Sequence, residues 1–437
     1  MPTLPSSLRI PPIHHPLNAT VRVPGSKSLT NRALLIASLA NGTTHLTNAL
    51  FSDDSRYFAK ALQTLGFDVQ LDEANHSMTV TGLGGKIPAK KAELFIGNAG
   101  TAARFLSAFL TLGNGEYILD GEPRMRERPI GDLVEALAQL GCDIKALQNA
   151  EGGMRICPPV KIIASGLKGG KTTIAGDISS QFLSALLMTA PYAQAPVEVE
   201  LTTDLNSKPY VDMTITIMKD FGVEIERDGY SSFTIHPSSF FPISSYAIES
   251  DASAASYFFA APAICGGTVK VENISRKSVQ GDIAFLDVLQ QMGCTVQETG
   301  NCLLVTGHSQ PHGIDIDMRD IPDTAQTLAA VAPFADSPTR IRGIASARVK
   351  ETDRVHATCT ELARLGVQVE EHEDGMTIYP TFDLRPSTVQ TYNDHRMAMA
   401  FSLIGLRFDG VTIENPSCVS KTFPNFFDAL SQLQVAG

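Results

Sequence analysis

A chain of 437 residues is long for a single hydrophobic core, so two domains are expected. Hydrophobic residues at 43% and charged residues at 19% are ordinary for a globular protein, and a net charge of −11 argues against nucleic acid as the main partner, which calls for a basic face. The apolar runs are too short to span a bilayer, the first 15 residues carry no signal or transit pattern, and seven cysteines without a C-x-x-C read as a reduced, cytoplasmic set.

The first elements set a pattern. A strand is expected around Leu17 to Val23. Ser28 is placed to cap a helix from Leu29 to about Leu39, because Leu29, Ala33, Ile36, Ala37 and Ala40 share one face. Asn41-Gly42 stops it. His45 to Asn48 reads as a short strand. Asp53-Asp54 opens a second helix through Ala61 and Leu65, which Gly66 ends. Val69 to Leu71 and Met78 to Val80 read as a strand pair.

That pattern recurs. Polar clusters lead into apolar helical runs at Gly25-Ser26-Lys27-Ser28, Asn98-Ala99-Gly100-Thr101, Ser179-Ser180-Gln181, Ser250-Asp251-Ala252-Ser253, Asp323-Thr324 and Asp394-His395-Arg396, at a spacing of roughly 70 to 80 residues. Most units then close a second helix with a glycine before a strand, at Gly66, Gly141, Gly222, Gly293 and Gly366. Six copies make two groups of three, with the break between Phe240 and Glu249. The strand near Leu17 has no unit before it and is assigned to the second group. The domains are thus residues 1–24 plus 248–437, and 25–247. Helix starts present unpaired N–H groups and a positive dipole end, so several of them aimed at one place would attract an anion.

Two phosphate-loop look-alikes fail. Ser165 stands where the first glycine before Gly170-Lys171-Thr172 should be, and Gly82-Leu83-Gly84-Gly85 lacks the dinucleotide spacing. The ten histidines show no metal-ligand spacing, so no metal is expected. The basic residues gather instead in a few motifs: Lys27 and Arg32; Arg104; Arg124, Arg126 and Arg128; Arg348, Lys350 and Arg354; His395 and Arg396; Lys421. Arginine forks with lysine point charges suit phosphate and carboxylate, so a substrate with more than one anionic group is expected. Asp323 and Glu351 lie among these cations. The plain roles for them are a helix cap and an i,i+3 ion pair with Arg354; the chemical role is proton transfer.

The motifs Pro24-Gly25-Ser26-Lys27-Ser28, Gly97-Asn98-Ala99-Gly100-Thr101-Ala102, Gly121-Glu122-Pro123-Arg124-Met125, Glu127-Arg128-Pro129, Ser179-Ser180-Gln181-Phe182, Ser207-Lys208-Pro209-Tyr210, Arg348-Val349-Lys350-Glu351-Thr352-Asp353-Arg354, Asn393-Asp394-His395-Arg396-Met397 and Lys421-Thr422-Phe423-Pro424 together resemble the 5-enolpyruvylshikimate-3-phosphate synthase family, class I in type, over nearly the whole chain. The resemblance implies an α/β fold: a two-lobed inside-out α/β barrel of six βαβαββ repeats, three per lobe, with the active site between the lobes. It implies transfer of the enolpyruvyl group of phosphoenolpyruvate to the 5-hydroxyl of shikimate 3-phosphate, on the way to chorismate and the aromatic amino acids, by a monomer that uses no cofactor.

Residue by residue, the resemblance gives Ser179, Ser180 and Ser207 the phosphate of shikimate 3-phosphate, with Lys350 and Ser346 reaching it from the other lobe. It gives Lys27, Ser28, Arg32, Gln181, Tyr210 and Asp323 the shikimate ring and carboxylate. Phosphoenolpyruvate falls to Lys27, Asn98, Gly100, Arg128, Gln181, Arg354, Arg396 and Lys421. Glu351 is the candidate acid toward the methylene carbon, Asp323 the base for the 5-hydroxyl with Lys27 assisting, and His395 tunes the acid. The family inhibitor glyphosate occupies the phosphoenolpyruvate pocket, where Gly100 leaves room for its greater length. Two positions depart from the family's pattern: Ser346 stands where Asn is frequent, and Phe105 where Pro is frequent. The alternative reading is the sister transferase acting on UDP-N-acetylglucosamine, which relies on a loop cysteine; residues 123 to 129 contain none.

Overall fold

The computed structural model describes residues 4–147, 156–308 and 310–434. The chain forms two compact units, one from Gly25–Ile248, the other from the segment ending at Pro24 and the segment beginning at Glu249. The first holds the helices α1 (Lys27–Leu39), α2 (Asp53–Thr64), α3 (Gly100–Phe109), α4 (Gly131–Gln139), α5 (Ser180–Thr189) and α6 (Lys208–Asp220). The second holds α7 (Ala252–Cys265), α8 (Phe285–Gln291), α9 (Ala325–Val331), α10 (Arg354–Arg364), α11 (His395–Gly405) and α12 (Phe426–Ser431).

The odd-numbered helices are buried almost all round, and α3, α9 and α11 are so at every position. Even-numbered α2 and α4 bury one face only. The strands alternate, with Leu17 and Val21 of Leu17–Arg22 buried and Asn18 and Arg22 exposed. Helices therefore fill the inside of each unit and sheets form the outside, as a helix apolar on every face and a strand apolar on one require.

One sheet plan recurs. In the unit 25–248, Lys91–Phe95 runs parallel to Asn114–Asp120, which is antiparallel to Val160–Ser165, itself antiparallel to Asp143–Ala146. Gly170–Ile174, Val197–Leu201, Ser232–Ile235 and Glu226–Asp228 repeat it. So do Tyr246–Ala247, Asn41–Thr47, Ser77–Leu83 and Asp68–Asp72. In the other unit Leu17–Arg22 takes the parallel place beside Gly267–Glu272, followed by Cys302–Gly307 and Thr295–Glu298. A fifth sheet runs Asp315–Asp317, Thr339–Arg342, Gly375–Ile378 and Val369–His372. The sixth has three strands: Ser7–Arg9 stands antiparallel to Val411–Glu414, where the other sheets have their hairpin, and Ser387–Val389 is the parallel neighbour.

The glycines that end the second helices act alike. Gly66, Gly141, Gly222, Gly293 and Gly366 have φ between 85° and 99°, a region costly for a residue with Cβ. Each sets the next N–H onto the carbonyl five residues back: Phe67 to Leu62, Cys142 to Leu137, Val223 to Met218, Cys294 to Leu289 and Val367 to Leu362, at 2.9–3.1 Å. At the first helix the cap is Ser26, whose hydroxyl accepts the Leu29 N–H, so the helix starts at Lys27, before the expected Leu29. The strand expected at His45 to Asn48 runs Asn41–Thr47, because Ala40 has already left the helical conformation.

The look-alike phosphate loop is a turn between the strands Val160–Ser165 and Gly170–Ile174, with no helix after it. No disulfide links the seven cysteines, all of which lie among the described residues. No helix among the described residues is long and apolar enough to cross a membrane.

Candidate active site

In the unit 25–248 the expected residues sit at helix starts. Lys27 is the first residue of α1, with its Nζ 3.6 Å from Asp54 Oδ2 in the first turn of α2. Ser28 follows it, half-buried. Asn98 and Gly100 lead into α3, whose cap residue Ala99 has no side chain to close the first turn, so a negative group is well placed there. Arg128 is buried, and its Nη1 donates to the backbone O and to Oδ1 of Asn98, both at 3.0 Å. Ser179 caps α5 by accepting the Gln181 N–H. The Gln181 amide donates to Thr101 Oγ1 at 3.3 Å, tying the starts of α5 and α3 together. Ser207, at φ 59°, precedes α6, and Tyr210 lies in the first turn of that helix.

Arg32 is fully buried. It donates to Thr214 Oγ1 (2.7 Å), to the backbone O of Ser28 (3.0 Å) and Tyr210 (3.1 Å), and to Ser184 Oγ (3.4 Å). Burial pushes its pKa down to about 10. The Phe105 ring lies 5.2 Å from this guanidinium, a cation–π cover at the position where the family often has Pro. Arg32 thereby fixes α1 to α5 and α6. Arg104, also buried, spans the Gly100 and Pro129 carbonyls.

The second unit gathers opposite charges tightly. The Arg354 guanidinium, the first residue of α10, donates to Asp394 Oδ2 (2.8 Å), Glu351 Oε2 (2.8 Å) and Asp323 Oδ1 (3.1 Å). Arg396 Nη2 donates to Asp323 Oδ2 at 2.6 Å, and its Nη1 to the Tyr257 hydroxyl at 3.4 Å. Lys421 Nζ lies 3.7 Å from Glu351 Oε1. Burial opposes the charge on Arg354, but Asp394, Glu351 and Asp323 outweigh it and hold its pKa above the ordinary value. Burial pushes the Tyr257 phenol up to about 12. His395 is wholly buried, with Nδ1 3.5 Å from Asp394 Oδ1. Ser346 and Lys350 lie half-buried on the turn before Glu351.

Asp323 is not a helix cap. It lies in a short 3-10 turn, α9 begins at Ala325, and the Asp323 carboxylate is turned to the two arginines. Glu351 does make the plain i,i+3 pair with Arg354, inside the same cluster. Other cations of the sequence motifs are structural or surface pairs: Arg124 with Glu127, Arg126 with Asp120, and Arg348 with Asp353 and Glu371. Sequence reasoning assigned no role to Asp394 or Asp282. Asp394 caps α11 through the Arg396 N–H and also holds Arg354. Asp282 is buried, accepts the Ser253 hydroxyl, and is pushed up to about 7 by burial and by the charge of Asp323. Asp282 lies in no sequence motif; Asp394 stands in one of the helix-start clusters, which makes its cap legible, but its hold on Arg354 comes through the fold. Among the described residues no group of three or more His, Cys, Asp or Glu is arranged as a metal site.

Comparison with known proteins bears on this arrangement. Residues 12–430 match the family model for EPSP synthase (3-phosphoshikimate 1-carboxyvinyltransferase). The chain is 49% identical to the 3-phosphoshikimate 1-carboxyvinyltransferase of Nostoc punctiforme over 98% of this chain and 99% of that one, and 50% identical to that of a Sulfurovum species over 98% and 99%. A solved EPSP synthase structure from Acinetobacter baumannii shares the fold, with a TM-score of 0.79 at 24% identity over 98% of both chains. By its sequence along nearly its whole length, the chain belongs to the EPSP synthase family.

Proposed function

We infer that this chain transfers the enolpyruvyl group of phosphoenolpyruvate to the 5-hydroxyl of shikimate 3-phosphate, releasing phosphate, as a step toward chorismate. The observation that carries this reading is the convergence of Arg354, Arg396 and Lys421 on Asp323 and Glu351. An enol phosphate is inert at C2 until its methylene carbon is protonated. Glu351 gives that proton, and Asp323 takes the proton of the 5-hydroxyl with Lys27 assisting. The new bond joins the 5-oxygen to C2. In the second half Glu351 takes a proton back from the methyl group, the bond from C2 to the phosphate oxygen breaks, and phosphate leaves with the electron pair and takes up the proton held by Asp323, which restores the base. Cations fixed in a dry site stabilise that charge as it develops.

In this reading Arg128, Arg354, Arg396, Lys421, Asn98, Gly100 and Gln181 hold phosphoenolpyruvate, with Lys27. Ser179, Ser180, Ser207, Ser346 and Lys350 hold the phosphate of the second substrate. Ser28, Arg32, Gln181, Tyr210 and Asp323 orient its ring and carboxylate. These residues come from both units. His395 acts through the cluster around Asp394. Seven cysteines outside any disulfide support a cytoplasmic setting, and a monomer is the proposed state.

The test is phosphate release with phosphoenolpyruvate as donor. Turnover with shikimate 3-phosphate and none with UDP-N-acetylglucosamine is expected; the opposite preference would overturn the reading.

A further inference from the structure

Two adjacent residues just ahead of the α11 start adopt a backbone that side chains disfavour. Tyr392 has φ 52° and Asn393 has φ 55°. Left-handed backbone is costly for a residue with Cβ, more for Tyr than for Asn, and persists where the surroundings over-determine it. The next residues are Asp394, His395 and Arg396.

Three contacts hold this turn. Asp394 is pinned by Arg354, the first residue of α10. The Asn393 side-chain oxygen accepts from Asn415 at 3.3 Å; Asn415, itself at φ 47°, opens the 3-10 segment Pro416–Lys421. The third contact is Glu361, two turns along α10 from Arg354 and wholly buried. Its Oε2 accepts the backbone N–H of Gln390 at 3.0 Å, and its Oε1 accepts the Tyr392 hydroxyl at 2.9 Å. Arg364 balances its charge with contacts of 3.0 Å to both oxygens.

Glu361 thus does for residues 390 to 392 what Arg354 does for Asp394, and both sit on one rigid helix. The site residue Arg354 and the turn that aims Arg396 are fixed to a common frame. Burial and the Glu361 carboxylate push the Tyr392 phenol up to about 12, so it stays a donor at any working pH.

We propose that Glu361 is a positioning residue: through Gln390 and Tyr392 it sets the left-handed turn that aims Arg396 at phosphoenolpyruvate. The proposal rests on the function inferred above.

The test uses Glu361→Gln and Tyr392→Phe in the full chain. Gln keeps an acceptor for the phenol but turns an N–H toward Gln390; Phe removes only the hydroxyl. Both variants should raise KM for phosphoenolpyruvate at least 5-fold and change KM for shikimate 3-phosphate less than 2-fold, with Tyr392→Phe keeping the wild-type Tm within a few degrees. Equal rises in both KM values, or no change in either, would overturn the proposal. Wild-type turnover tests the reaction separately. Should the wild type be inactive, hydrogen exchange at the amides of 395–397 still decides: faster exchange in both variants supports the positioning role, and unchanged exchange rejects it.

Discussion

The Arg396 guanidinium donates to Oδ2 of Asp323 across 2.6 Å, while the other oxygen of the same carboxylate takes Arg354 at 3.1 Å. A carboxylate between two arginines is a poor base, because both cations favour its charged form. An anionic ligand that draws the arginines to itself loosens that hold. In the proposed reaction an anionic substrate thus competes with Asp323 for both arginines.

Asp323→Asn separates the two roles. Without the carboxylate the proposed reaction loses its main base, so kcat should fall roughly 100-fold or more. Arg354 and Arg396 are then released toward the ligand, so KM for phosphoenolpyruvate should hold or fall. Steady-state kinetics check both, and a kcat within 3-fold of wild type would remove Asp323 from the chemistry.

Arg354→Ala leaves Asp394, Glu351 and Asp323 facing one another in a buried site. Removing one partner of a buried ion pair costs about 3–5 kcal/mol. Urea denaturation should show a loss of that size along with loss of turnover. Lys at this position should not restore activity, since a point charge cannot serve three carboxylates set around a planar fork.

Gly100→Ala bears on glyphosate. On the family resemblance, Gly100 leaves room for the inhibitor's greater length, which a methyl group would reduce. In the structure that methyl carbon would stand 2.5 Å from Arg128 Nη2 and 3.0 Å from Arg104 Nη1, so the Arg128 guanidinium must shift first. We expect KM for phosphoenolpyruvate to rise roughly 10-fold, the equivalent of about 1.4 kcal/mol, together with the Ki of glyphosate. Inhibition kinetics with an unchanged KM would show that Arg128 yields without consequence.

Asp282 supplies a pH signature. Its folded pKa of about 7 lies above the ordinary carboxyl value, so between the two the folded state binds more protons than the unfolded. Its contribution to stability is full below about pH 4 and is lost as pH rises through about 7. Asp282→Asn, which never ionises, should gain Tm over wild type as pH is raised across that window. A Tm difference flat from pH 4 to 8 would argue against a protonated Asp282.

The repeat was legible because local signals write it: a capping cluster, an apolar run, and a glycine that closes the second helix. Each acts within six residues of chain. Register was less so; Ser26 and Ser28 are both chemically able to cap, and only the packed helix selects Ser26. The gathering of Arg354, Glu351 and Lys421 followed from motif chemistry. Glu361 and Asp282 are not legible, because the partners that matter are 29 to 41 residues away and their own neighbours carry no distinctive spacing; of Asp394 the cap is legible and the hold on Arg354 is not. That Arg32 also spans Thr214, Ser184 and two carbonyls is written only in the tertiary fold.

The strand Leu17–Arg22 pairs with Gly267–Glu272, made 250 residues later. At synthesis rates of about 5–20 residues per second, it waits roughly 12–50 s for that neighbour. Meanwhile the whole of Gly25–Ile248 has emerged with all the partners of its own sheets. On the ribosome this protein should therefore fold from the middle outward. The inserted unit becomes protease-resistant on chains stalled once residue 248 has cleared the ribosome, while the strand Leu17–Arg22 stays open to chaperones. Proteolysis of such stalled chains would show this order, and equal sensitivity of both segments would refute it.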